Sequence, residues 1–161
     1  IIDDHFANPG NINVTLETLS MMDYNKLHLV YAIRGSRGVT TNRENADTIA
    51  KWAKKLKLKE IIATLSKSNV TEKDKVTTEE LETFMEVMDE NKIKVHLYDE
   101  LKDAISYGLS KTAKDDIVLL AGCQGMDYGA KIALEELSRL RPDIDRRELF
   151  EALENRIAGI M

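Results

Sequence analysis

Short, almost unbroken apolar runs alternate along this chain with stretches in which apolar residues recur every three or four positions. The run at 27–33, interrupted only by His28, lacks the in-out pattern of a half-exposed strand and so suits one covered on both faces, and 60–65, 95–98 and 116–121, the last the most apolar, read as further strands. The stretches between them carry helical stripes, such as Ile12, Leu16 and Leu19, or Leu101, Ala104, Ile105 and Leu109. Repeating strand and helix in this way makes neighbouring strands parallel, because each strand is reached through a crossover. The expected fold is therefore α/β: a Rossmann-like three-layer domain, with a mostly parallel sheet of about five to six strands and helices on both faces. Loops after the first, second, third and fifth strands should gather at one sheet edge, where ligands bind in such folds.

Local signals set the expected helix boundaries. Gly10 or Asn11 is available to cap a first helix, Asn42 and Asn45 open a second, and Thr77-Thr78 caps a third. Asp99 caps a fourth, a fifth starts near Met126, and a last helix carries Leu149, Leu153 and Ile157.

The 161 residues suit one domain, 1–161, with no linker or internal repeat. The chain starts on Ile1, already inside a strand-like segment and without a methionine. It is expected to be a piece of a longer multidomain enzyme. A net charge of -5 argues against non-specific nucleic-acid binding. No apolar run approaches membrane-spanning length and no signal sequence is visible, so a cytoplasmic setting, with no membrane partner, is the default. Cys123 is the lone cysteine, and His5, His28 and His96 lack ligand spacing, so no metal site is expected.

Three strand-end segments carry the candidate chemistry. Asp3 and Asp4 precede Asn8-Pro9-Gly10, where a carboxylate can accept from sugar hydroxyls or simply face solvent in a turn. Arg34 and Arg37 flank Gly35 before a helix, where guanidinium groups and free backbone N–H groups suit a carboxylate or phosphate; a solvated loop explains them equally well. Gly122-Cys123-Gln124-Gly125-Met126-Asp127 ends the most apolar strand, and its glycines fit either a close ligand or a tight turn. The glycine fingerprint of dinucleotide sites and the phosphate loop ending in Gly-Lys-Ser or Gly-Lys-Thr are both missing.

In order and spacing, these segments resemble the C-terminal domain of the Mur ligases, ATP-dependent amide-forming enzymes of cell-wall precursor synthesis related to folylpolyglutamate synthases. The matching residues are Asp4 through Asn8-Pro9, Gly35-Ser36-Arg37, and the strand from Asp116 to Ala121-Gly122. The resemblance implies an amino-acid-binding and lid domain that closes on a central domain holding ATP and Mg. There the carboxylate of a nucleotide-linked (pseudo)peptidoglycan precursor is phosphorylated, and the amine of an incoming amino acid attacks the acyl phosphate. It implies ATP contacts from Asp4, His5 and Asn8, amino-acid contacts from Arg37, Gly122 and Asp127, and no catalytic residue in this domain. The isolated domain is then expected to be inactive. Ala7 stands where many members have histidine, with His5 two residues earlier. The loop after the third strand reads Leu65-Ser66-Lys67-Ser68-Asn69 in place of the Asp-Asn-Pro-Arg of diaminopimelate-adding members. These departures disfavour diaminopimelate and leave open a divergent branch such as the archaeal pseudomurein ligases. The rival reading is a stand-alone Rossmann-like module that binds a nucleotide or acidic metabolite without catalysis.

Overall fold

The computed structural model describes residues 1–56, 58 and 60–154. The strands are β1 (Ile2–Asp4), β2 (Leu27–Ala32), β3 (Glu60–Thr64), β4 (Lys94–Tyr98) and β5 (Ile117–Ala121). The helices are α1 (Pro9–Ser20), α2 (Gly38–Lys55), α3 (Thr78–Glu90), α4 (Leu101–Ser110), α5 (Gly129–Leu140) and α6 (Arg146–Glu154). All strand pairings are parallel, in the order β1-β5-β2-β3-β4.

Both faces of the central strands are covered, as their unbroken apolar runs require. On one face Leu29, Tyr31, Ile61, Ala63 and Leu119 pack in a single cluster with the stripes of α1, α2 and α3. On the other, Val30, Ile62, Val118 and Leu120 meet Leu101, Ala104 and Ile105 of α4 and Ala133 of α5. Each fully buried large side chain contributes about 1.5–3 kcal/mol relative to exposure, so these two clusters are the main source of stability. The first has an aromatic centre: Tyr31 stacks on Phe84 at 5.5 Å between ring centroids and meets Phe6 at 6.3 Å. β4 lies at the sheet edge and is only partly covered, with Leu97 exposed.

Several helix starts differ from the sequence expectation. The cap of α1 is Asn8, whose side chain accepts from Asn11 N at 3.1 Å, with Pro9 following in the first turn. Helix α2 starts at Gly38, four residues before Asn42, and both Asn42 and Asn45 lie buried within it. Its N-cap residue, Arg37, makes no side-chain cap bond. The N-cap of α4 is Glu100 rather than Asp99, and α5 begins at Gly129 after a turn that includes Met126. Thr77 does cap α3, in a full capping box with Glu80. Ile157 lies outside the described residues.

The topology gives β5 a special position. The chain leaves β1 and β2 into α1 and α2 on one face of the sheet, whereas it leaves β5, which lies between them, into α5 on the opposite face. Loops that diverge to opposite faces open a crevice at the strand C-termini, the usual ligand position in an open α/β sheet. The end of β5 is tightly built. Gly122 has φ of +130°, and a Cβ there would lie 2.5 Å from the Ala32 carbonyl oxygen. The substitution Gly122→Ala is therefore expected to cost about 2–4 kcal/mol. Gly38→Ala, with φ of +80° but open space around the added carbon, is expected to cost about 1–2 kcal/mol. Urea midpoints compare the two; equal losses would mean that backbone strain, rather than contact with Ala32, sets the requirement for glycine.

Candidate functional site

Register places the predicted segments side by side. Asp4 pairs with Ala121, Ala121 with Tyr31, and Ala32 with Thr64. The loops after β1, β2, β5 and β3 thus leave the sheet at similar heights. Direct hydrogen bonds join several of them.

The β1 loop is held from within and from its neighbours. Asp4 accepts from Phe6 N at 3.2 Å with one carboxylate oxygen and from Thr15 Oγ1 at 2.9 Å with the other. One bond on each oxygen leaves lone pairs for further donors. Phe6 adopts φ of +36° while its ring is fully buried in the core, so the loop is anchored by packing. His5 is exposed, and its carbonyl accepts from Cys123 Sγ at 3.0 Å. The Ala7 carbonyl accepts from Arg34 Nη1. Asn8 is exposed and serves as the cap of α1.

The β2 loop carries the main departure from expectation. The backbone N–H groups before α2 are not open to a ligand, because the Glu80 carboxylate reaches across from α3 and fills them. One of its oxygens accepts from Arg37 N and Gly38 N, both at 2.8 Å; the other accepts from Ser36 N and Thr77 N, both at 3.0 Å. Glu80 is 2% exposed. Burial alone pushes its pKa up, but the four backbone donors outweigh this and hold it below the usual glutamate range. Gly35 completes the clamp: an added Cβ would sit 2.1 Å from the Asp74 carbonyl oxygen. The Arg37 side chain itself remains 38% exposed. Its guanidinium donates to the Ser36 carbonyl at 3.2 Å and approaches Asp74 at 3.7 Å.

In the β5 loop, Gly122 N donates to the Asp4 carbonyl at 3.3 Å, and Ser66 Oγ donates to the Gly125 carbonyl at 2.6 Å. These bonds join the β1, β5 and β3 ends. Gln124 has φ of +60°, and its side-chain oxygen is buried without a partner. Asp127, partly buried, donates its backbone N–H to the Gln124 carbonyl at 3.1 Å. Burial pushes the Cys123 thiol up, which disfavours the thiolate a nucleophile needs.

His28 and His96 lie away from this edge, paired with Asp116 at 3.1 Å and Glu60 at 3.2 Å. Among the described residues no group of three His, Cys, Asp or Glu is placed to hold a metal ion. Among the same residues no helix is long and apolar enough to cross a membrane.

A family model described as Mur ligase, glutamate ligase domain, matches residues 1–124. The chain belongs to this family. No curated protein matches it. Among solved structures, a UDP-N-acetylmuramoyl-L-alanyl-D-glutamate–2,6-diaminopimelate ligase superposes with a TM-score of 0.53 at 20% identity, over 76% of this chain. At that identity the likeness establishes the fold. The chain spans 23% of that structure's chain.

In this Mur ligase domain the predicted residues Asp4, His5, Asn8, Arg37, Gly122 and Asp127 all lie at the C-terminal ends of β1, β2 and β5 or in the loops that follow them. Sequence reasoning missed Glu80, which shapes the middle loop. The motif Thr77-x-x-Glu80 could have exposed its bond to Thr77, but no local signal reports acceptors for residues about 40 positions earlier.

Because the folded state lowers the Glu80 pKa, the carboxylate's contribution is fully present above the unfolded glutamate range and is lost as pH falls through the folded value. Glu80→Gln removes two of the four acceptor positions without changing shape. Its stability deficit, read from urea midpoints between about pH 7 and pH 3, is therefore expected to be largest near neutrality and to shrink below the ordinary glutamate pKa of about 4.3. A deficit independent of pH would show that the charge does not matter.

Proposed function

We propose that this chain is the amino-acid-binding and lid domain of an ATP-dependent amide ligase, which joins an amino acid to a nucleotide-linked (pseudo)peptidoglycan precursor through an acyl phosphate. One observation carries the reading: three strand-end loops meet around β5, with the Asp4 carboxylate on one side and the exposed Arg37 guanidinium on the other. That arrangement can present a nucleotide and a carboxylate-bearing amine to a common partner surface.

The residues suit those tasks. Asp4 keeps lone pairs for ribose hydroxyls, and His5 and Asn8 extend the same loop toward the nucleotide. Arg37 holds the carboxylate of the incoming amino acid in a charged fork. Gly122 and Asp127 border that substrate from the β5 side, where Asp127 suits its ammonium group by charge. ATP supplies the phosphoryl group that activates the acceptor carboxylate. Fixing the amine near the activated carbon makes its attack effectively unimolecular, and closure of the lid excludes the competing water. ATP and Mg are assigned mainly to the central domain, with Mg held there by one or two carboxylates and the phosphates.

The test uses the full-length polypeptide, whose coding sequence should contain a Gly-x-x-x-x-Gly-Lys-Ser or Gly-x-x-x-x-Gly-Lys-Thr segment upstream of Ile1. Absence of that segment would defeat the ligase reading. With an acceptor present, ATP hydrolysis should depend on one class of amino acid, whereas the 161-residue chain alone should hydrolyse none. Arg37→Ala is expected to raise the amino acid's KM at least about tenfold, with ATP's KM changed less than about twofold. Asp4→Ala should do the reverse. Equal effects of either variant on both substrates would remove it from its assigned role.

A further inference from the structure

Glu80 contacts neither the β1 loop nor the β5 loop among its hydrogen-bond partners, and it is too buried to meet a substrate. Its carboxylate nevertheless takes the backbone N–H groups of three consecutive residues, Ser36, Arg37 and Gly38. Three donors converging on one anion fix the path of a short loop more closely than one cap bond would. Two further contacts hold the same loop against the segment before α3. Ser36 Oγ donates to the Lys75 carbonyl at 3.3 Å, and the Gly35 backbone lies so close to Asp74 and Lys75 that no side chain fits. Ser36 also sits at φ of +55°, a conformation that the surroundings must impose.

We infer that Glu80 is the positioning residue for Arg37: by filling the N–H groups ahead of α2 with an internal carboxylate, it sets the loop geometry that presents the guanidinium to the amino acid. This rests on the proposed role of Arg37. It also alters how the substrate carboxylate is held. The helix start, with its N–H groups already taken, offers little to a second anion. Affinity for the carboxylate then comes from the Arg37 side chain and depends on where the backbone puts it. A residue that acts this way should affect recognition of one substrate and leave the other alone.

The fourth bond of Glu80 provides a control. Its second oxygen also accepts from Thr77 N, and Thr77 Oγ1 accepts from Glu80 N at 3.3 Å. Thr77→Ala weakens the cap of α3 but leaves the three loop bonds in place, so it loses stability without disturbing Arg37. Glu80→Gln puts an amide nitrogen against two backbone donors and opens the loop. In the full-length polypeptide, Glu80→Gln is expected to raise the amino acid's KM about tenfold, with ATP's KM within about twofold and kcat at saturation within about threefold. Thr77→Ala should lower Tm while leaving the amino acid's KM within about twofold. In an Arg37→Ala background, Glu80→Gln should add less than about twofold to that KM, because its effect runs through the missing side chain.

An unchanged amino-acid KM in Glu80→Gln, or an undiminished effect when Arg37 is already alanine, would overturn the positioning role. An unchanged KM in Arg37→Ala alone would instead overturn the assignment of Arg37, a separate failure. Should Glu80→Gln not fold, Glu80→Asp carries the test. It keeps the charge but is one methylene too short to reach all four donors. A rise in the amino acid's KM without a rise in ATP's supports the inference, and no rise overturns it.

Discussion

The start of α2 and the start of α3 each leave backbone donors that must find acceptors, and one carboxylate serves both. An N–H group left unsatisfied out of reach of water costs about 1–3 kcal/mol, and the donors of these four part-buried bonds would carry a share of that penalty. Glu80 removes it with four bonds of 2.8–3.0 Å. Burying the carboxylate is itself unfavourable, and the net fall in its pKa shows which effect wins. The β2 loop, the turn before α3 and the packing of α2 on α3 all meet at this group.

A second set of contacts carries that order across the crevice. Arg34 reaches the Ala7 carbonyl, Cys123 reaches the His5 carbonyl, and Gly122 N reaches the Asp4 carbonyl. Each bond ends on the backbone of the β1 loop or of the strand leading into it. The β1 loop therefore takes its shape from residues just after β2 and β5 as much as from its own sequence. Cys123 fits here as a buried tie, given its raised pKa and its contact with His5. Arg34, which at the level of sequence pairs with Arg37 as a possible anion ligand, gives one guanidinium nitrogen to the β1 loop, while its Nε is buried without a partner.

The fold was legible because burial on both sides of a sheet leaves a direct trace, the unbroken apolar run, and helical stripes leave another. The edge strand β4 left a weaker trace, since Leu97 and its neighbours are only partly covered. Helix starts were harder to read wherever the acceptor lies far away in sequence. Thr77 was readable because its partner is three residues on, whereas α2 was placed four residues late because its cap is Glu80. Asn42 misled for a related reason: its side chain donates to the Arg34 carbonyl at 2.8 Å from inside the helix, so a residue type that favours caps is here used for tertiary bonding. The crevice residues were legible as positions after strands, and Gly122 shows the limit of that. Its glycine is explained by contact with Ala32, whatever ligand passes nearby.

The pairing of Arg37 with Asp74 bears on how such a site is kept ready. An exposed ion pair at 3.7 Å is worth about 0–1 kcal/mol, whereas a hydrogen bond to a charged group contributes about 1.5–3 kcal/mol. In the role proposed for Arg37, a carboxylate that engages the guanidinium fork would therefore displace Asp74 at little cost. Until it does, Asp74 restrains a long side chain that would otherwise lose rotamer freedom on binding. Glu80 and Asp74 thus divide the work by burial. The buried carboxylate fixes the backbone beneath the arginine and is too well bonded to leave, while the partly exposed one holds the guanidinium loosely enough to give way to a ligand.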